Sequence, residues 1–377
     1  MNILGVHITL LIGVAGPPLP VPLEISQALK DVNVSHNDQG TSGFQITFQI
    51  GRSGPLDLID YALLRNPLLK PFNRVILLVS FDLVPEVLMD GIITNIQMSP
   101  SEEPGASTLT ITGEDVSVMM DLEQKNQSFP VLSDYLKVFT IVGQYSAKYG
   151  LIPPLPPTDI APMTPENPFE QIPQQARNLT DRGYIQELAG RYGYVFYITP
   201  GPVPLVNTVH WGIPERLTFP QSALSVNMGN ASNVKSINFS YDALKPQEVS
   251  YAKDENSTSS INSPSFTRMI PLARNRAEAR KKISLTGYSG DIAKNEAQGM
   301  VDSSFDSVIT ANGELDALRY KRLLQPRSLV GLRGVGDTYD GLYYVKTVSH
   351  KISKGQYSQS FTLTREGTGT LSPFIIP

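Results

Sequence analysis

The sequence predicts a mainly β protein with an α+β insert: two domains of barrel or sandwich type flanking a smaller, helix-containing domain. Three observations carry this. Glycine and proline number 29 and 30 in 377 residues, a usage that favours turns and short strands. Short apolar runs with a two-residue period crowd both ends of the chain. Between residues 125 and 225 the period turns helical instead. The length exceeds one ordinary core, and the change of texture divides the chain into 1–124, 125–225 and 226–377.

In the first segment, Val6 to Val14 reads as a buried strand, stopped by prolines that cannot donate to a ladder. The apolar start, Ile3 to Ala15, has no basic leader and is shorter than the roughly 20 residues a bilayer span requires. No membrane insertion is expected. Val32 to Ser35 is the next strand. In Gly43 to Gly51, Phe44, Ile46, Phe48 and Ile50 alternate with Gln45, Thr47 and Gln49, as in a strand with one wet face. Val75 to Phe81 is apolar on both faces. Val87 to Met98 and Ser107 to Gly113 flank the turn-rich stretch 99–105.

In the second segment, Asp134 to Tyr149 places Tyr135, Val138, Ile141, Val142 and Tyr145 on one helical face. Gly150 follows where a C-cap glycine belongs. The proline-dense stretch 151–173 is expected to be an extended loop. Asp181 to Tyr192 is a second helix with Ile185, Leu188 and Ala189 inward. Gly193 passes the chain to the strand Tyr194 to Thr199, and Trp211 is expected in the core.

In the third segment, Asn227 to Asp242 returns to strand. Residues 243–271 are rich in Ser, Asn and Pro and are expected to form a long surface loop or linker. Arg274 to Lys282 is expected to make a helical turn, and Ile292 to Ser304 a helix. Three strands close the run: Leu329 to Val335, Gly341 to His350 and Tyr357 to Arg365. Val345, Thr347 and Ser349 alternate against Tyr344, Lys346, Val348 and His350. Gly334, Gly336 and Gly341 punctuate the first turn.

The residues offer no active site. With 31 basic and 35 acidic residues the net charge is −4, which invites neither nucleic acid nor an anionic membrane. There is no cysteine, so disulfides and thiolate chemistry are excluded. His7, His36, His210 and His350 lie far apart without metal-binding spacing, and neither metal nor cofactor is expected. Gly334, Gly336 and Gly341 precede a strand, not the helix that a nucleotide-binding loop requires. Asp57 with Asp60, and Glu102 with Glu103, sit in polar turns and read as solvated surface. The basic cluster Arg274, Arg276, Arg280, Lys281 and Lys282 lacks the interleaved aromatics of a nucleic-acid platform. A non-enzymatic protein is the expectation.

Three stretches carry a family resemblance. LVGLRGVG at 329–336, YDGLYYVKTVSHKISKG at 339–355 and SFTLTREG at 360–367 resemble the closing barrel of the baseplate hub family of contractile tail-like systems. That family includes the phage late-control D proteins and the hub portions of type VI secretion spikes. GFQITFQIGR at 43–52, with VLMDGIITNIQMSP at 87–100 and STLTITGEDVSVMMDLE at 107–123, resembles the family's first barrel. LTDRGYIQELAGRYGYVFYIT at 179–199 resembles a helix-to-strand unit of the hub, from which Gly183 and Tyr184 depart. The motif positions are Gly91, Gly113, Asp181, Leu188, Gly193, Gly334, Gly341, Tyr344 and His350.

The resemblance implies two β-barrel, tail-tube-like domains per chain. It implies a homotrimer whose six similar domains adapt a hexameric inner tube to a trimeric spike around a central channel. Partners would be the chain itself, a spike protein, the inner tube protein and baseplate wedge components. The chain would be made in the bacterial cytoplasm and assembled into the baseplate of a contractile particle. The motif wording is most similar to the hub of an extracellular-type contractile injection system. Because the sequence stops shortly after Arg365, the spike is expected to be a separate chain. The apolar tail with Leu371, Phe374, Ile375 and Ile376 is expected to dock on that spike or on a neighbour. The alternative is a glycan-binding or adhesive β-protein presenting Tyr194 to Tyr197 and Tyr343-Tyr344.

Overall fold

The computed structural model describes residues 2–371, apart from 4–5, 14–16, 52–60, 82–83, 104, 128, 130–131, 158–177, 255, 266–267 and 269. Strand takes 46% of the described residues against 21% in helix, so the mainly β expectation holds.

The two-residue period at both ends builds one sheet of 14 described strands. Its hydrogen-bonded path starts with Asn2–Ile3, Val6–Gly13, Arg74–Phe81, Val84–Ser99, Ser107–Asp115, Gly43–Ile50 and Leu29–Asn37. It continues through Gly341–Ser353, Gln356–Arg365, Ile309–Asp316 and Val234–Tyr241. Neighbours along this path are antiparallel, and burial follows the alternation read from the sequence. Phe44, Ile46, Phe48 and Ile50 are all buried, with Ile46 opposite Ile111 and Phe48 opposite Leu109. Three further strands complete it: Leu19–Pro20 pairs antiparallel with Val6–Gly13, and Gln221–Ser225 joins in parallel to Leu329–Arg333, which attaches to Gly341–Ser353.

The two expected barrels do not close. Leu29–Asn37 pairs on one side with Gly43–Ile50 and on the other with Gly341–Ser353. A strand has only two hydrogen-bonding edges. With both edges of Leu29–Asn37 used, Val6–Gly13 at the far end of that half has no such partner with which to close a ring. The halves therefore share one open sheet. Each keeps its own apolar cluster: Val6, Ile8, Ile46, Phe48, Leu77 and Leu109 in one, Leu224, Ile309, Val330, Tyr343, Val345 and Phe361 in the other. Ile352 and Tyr357 reach across from the last segment into the first cluster.

The alternation expected along the second closing strand is broken by a bulge between Val345 and Thr347. One extra residue there turns Val345 and Val348 onto the same core, and strict alternation resumes only from Val348 onward.

The insert packs helices Asp134–Tyr149 and Asp181–Arg191 on a three-stranded sheet of Val195–Pro200, Asn207–Gly212 and Leu151–Ile152. Ser133 caps the first helix at its start, and Gly150, at φ 68°, ends it. Val138, Ile141, Val142, Ile185, Leu188 and Trp211 form its core. Part of the expected loop after Gly150 is strand, since Leu151–Ile152 pairs with Asn207–Gly212; 158–177 lies outside the described residues.

The expected loop at 243–271 is corrected more strongly. Gln247–Asp254 and Ser257–Ile261 form a hairpin, and Lys281–Ser289 adds a parallel strand. Helix Gly290–Phe305 covers it, burying Val249, Tyr251, Ala293, Ala297, Val301 and Phe305. Only Val249 and Tyr251 supply buried apolar groups on the hairpin, so its Ser- and Thr-rich wet side hid the period. The helical turn expected at Arg274–Lys282 is extended chain: Asn275–Arg276 pairs with Gly367–Thr368, and Lys281 begins a strand.

Candidate functional site

The motif glycines sit where backbones approach closely. A Cβ on Gly113 would lie 2.2 Å from the Ile92 carbonyl oxygen and 2.4 Å from Phe44 Cζ. One on Gly91 would lie 2.3 Å from the Glu114 oxygen. Gly334, at φ 91°, abuts Val226, and Gly341, at φ 127°, faces Arg365. Gly193, at φ 62°, meets the backbone of Gly299 in the covering helix. Asp181, buried in the first turn of its helix, pairs with Lys125 and accepts from the Tyr145 hydroxyl at 2.6 Å. Leu188 is core. These positions serve packing and do not converge on one site.

His350 and Tyr344 do lie at a junction. His350 is buried and its Nδ1 sits 3.0 Å from the Tyr357 hydroxyl. Its ring meets His36 edge to face, with centroids 5.9 Å apart. Burial pushes His350 down to about 3, and burial together with His350 holds His36 well below the usual histidine range. Leu371 is exposed; Phe374, Ile375 and Ile376 lie outside the described residues.

The centre of this junction is Arg327, which sequence reasoning missed. It lies in the turn before Leu329–Arg333, at φ 64°, pinned to Val345 by its backbone N–H at 2.7 Å. Its guanidinium is buried, and five hydrogen bonds match its five donors. Nε and Nη2 donate to the Asn37 carbonyl at 3.1 and 2.6 Å, and Nη2 also to Ser42 Oγ at 2.9 Å. Nη1 donates to the Ile198 carbonyl and to Thr199 Oγ1, both at 3.0 Å. The Tyr197 ring lies under it at 4.1 Å. One side chain thus ties together all three parts of the chain. Beside it, buried Asp115 accepts from the Ser42 and Ser117 amides at 2.9 Å each. Burial raises the Asp115 carboxyl above the ordinary range despite those bonds. In the sequence, Arg327 follows Gln325-Pro326 and looks like a solvated turn residue, so no local signal marks it.

A second network joins the insert to the last segment. Arg216 reaches Asp306 at 2.7 Å and Glu366 at 3.3 Å, both through its guanidinium. Arg268 pairs with Asp306 and donates to the Gly193 carbonyl. Glu366 accepts from the Leu272 and Ala273 amides at 2.5 and 3.0 Å.

A cavity of about 780 Å³ opens beside Arg327, walled by Ile152–Pro157, Tyr197, Thr208–Thr218 and Pro326–Ser328. Its nearest approach to acid–base chemistry is His210 with Glu215, 3.4 Å apart. His210 Nε2 faces the Ile213 carbonyl at 2.9 Å, so each ring nitrogen has a partner within the chain. Among the described residues no three His, Asp or Glu gather to hold a metal, and no helix is long and apolar enough to cross a membrane.

No family model matches the sequence, and no curated protein matches it. Solved structures do match. A tail protein from Neisseria meningitidis superposes with a TM-score of 0.63 at 11% identity, over 97% of this chain and 98% of that one. The fold is shared with this tail protein. A 43 kDa tail protein of prophage MuSo2 from Shewanella oneidensis shares the tail-protein fold with a TM-score of 0.62 at 9% identity, over 96% and 99% of the two chains. A type VI secretion component from Escherichia coli, itself similar to T4 tail proteins, gives 0.55 at 11% identity, over 93% and 77%. At these identities the likeness is one of fold.

Proposed function

We propose that the chain is a structural component of a contractile tail-like particle, and specifically its baseplate hub. The observation that carries this is the end-to-end match to the Neisseria tail protein, over nearly the whole of both chains. The buried Arg327, with all five of its guanidinium donors bonded across the three parts of the chain, suits a rigid part. On this reading each chain contributes two related sheet halves, grouped as 1–124 and 226–377 around the insert 125–225. Three chains then offer six such halves to a hexameric inner tube and threefold symmetry to a separate spike. Wedge components would bind outside, and assembly would follow synthesis in the bacterial cytoplasm. The tail from Leu371 to Pro377 docks on the spike or a neighbour.

The aromatic strands behind the adhesive alternative are buried: Tyr194, Phe196, Tyr197, Tyr343 and Tyr344 all lie inside. That alternative loses its surface, and a glycan array is expected to be blank. The test of the hub reading is light scattering on the purified chain, alone and with a co-expressed spike from the same particle. A mass near three times 41.3 kDa with the spike captured is expected. A monomer that ignores both spike and tube overturns the reading. Deleting 371–377 without loss of either interaction overturns the docking role of the tail.

A further inference from the structure

Three polar atoms from the three parts of the chain are left over by the two networks. Asp38 Oδ1, Arg216 Nε and the Tyr344 hydroxyl are each buried and have no hydrogen-bond partner among the described residues. Their residues are 4%, 7% and 2% exposed, so bulk water does not satisfy them. The three residues line the same small pocket, of about 20 Å³, together with Asp306, Lys346 and Thr364. Such a volume accepts a water molecule, which needs roughly 10–15 Å³ and two to four polar partners.

The chemistry of the three atoms is complementary to one water. Arg216 Nε carries a hydrogen and can only donate. Tyr344 retains its proton, because burial and the nearby Asp38 hold its phenol well above the ordinary value. A water oxygen accepts from both. Asp38 Oδ1 accepts one of the water's hydrogens in return. The neighbouring charges are mixed, with Asp38 and Asp306 against Arg216 and Lys346, which argues against an ion.

We propose that this pocket is a built site for a single buried water that bridges Asp38, Arg216 and Tyr344, one residue from each of the three parts of the chain. The water complements Arg327: the arginine clamps one side of the junction directly, and the water completes the other. The site does not depend on the hub reading.

A crystal structure of the full chain at about 1.5 Å or better tests this, with a second crystal soaked in rubidium bromide. The expected result is one peak within about 2.6–3.2 Å of all three atoms and no anomalous signal there. A direct contact between Tyr344 and Asp38 that closes the pocket overturns the proposal. So does an anomalous peak, which would make it a cation or anion site. In solution, Tyr344→Phe and Asp38→Asn are expected to lower the Tm, and the double variant to lower it by less than the sum of the two. Strictly additive shifts overturn the bridge.

Discussion

Arg327 lies over the Tyr197 ring at 4.1 Å while its five hydrogen bonds reach Asn37, Ser42, Ile198 and Thr199. A lysine has three donors and no planar fork, so Arg327→Lys loses at least two of the five bonds and leaves at least one of the four buried acceptors unpaired. The expected loss is about 2–4 kcal/mol of unfolding free energy. Tyr197→Phe keeps the ring beneath the cation and is expected to lose less than about 1 kcal/mol. Urea unfolding of both variants checks the ranking. Equal effects would mean that the guanidinium does not organise the junction.

The histidine pair makes the seam between Leu29–Asn37 and Gly341–Ser353 sensitive to acid. His350 falls from 6.5 to about 3 on folding, and His36 shifts the same way. A depressed histidine stabilises fully above the unfolded value of 6.5, and that stability is lost as pH falls toward the folded value. Between those limits each depressed histidine contributes a slope of about 1.4 kcal/mol per pH unit. His350→Gln keeps a polar partner for Tyr357 but does not titrate. Its stability deficit against the parent is expected to shrink from pH 7 to pH 4. A deficit independent of pH would show that His350 titrates normally.

Asp38 works in the opposite sense. Burial, the largest cause, raises it from 3.8 to about 6. That contribution is present below 3.8 and is lost as pH rises through 6. Asp38→Asn is therefore expected to be more harmful, relative to the parent, at pH 4 than at pH 7. Denaturant midpoints at the two values measure it, and a reversed order would refute the raised carboxyl.

Gly193 and Gly299 pack backbone against backbone. A Cβ on Gly193 would lie 2.5 Å from the Gly299 oxygen, and one on Gly299 2.5 Å from the Gly193 nitrogen. Alanine at Gly193 also strains its positive φ, so a loss above about 3 kcal/mol is expected. Gly336, at φ 95° with nothing within 4 Å, isolates the strain alone, and Gly336→Ala is expected to lose only about 1–2 kcal/mol. Thermal unfolding of the pair tests this; similar losses would mean that the close approach yields at little cost.

The hairpin Gln247–Asp254 with Ser257–Ile261 is expected to protect its amides from hydrogen exchange in the isolated chain. Val301→Ala, beneath it, is expected to lower that protection along with the protection of Lys281–Ser289. Exchange at the rate of an unstructured loop would restore the linker assignment.

Local pattern alone determined much of this protein. The alternation of Phe44, Ile46, Phe48 and Ile50, and the helical faces around Val138 and Leu188, depend on neighbours two to four residues away, and a sequence displays those directly. The motif glycines were legible as positions, although their reason, a Phe44 ring or a Gly299 backbone, was not. What only the tertiary structure decided involves distant partners. Leu29–Asn37 could not be seen to choose Gly341–Ser353, because strand edges carry no sequence label and pairing across some 300 residues is set by the whole sheet. Arg327 reads as a surface charge until folding surrounds it, since burial belongs to the assembled core and not to the residue.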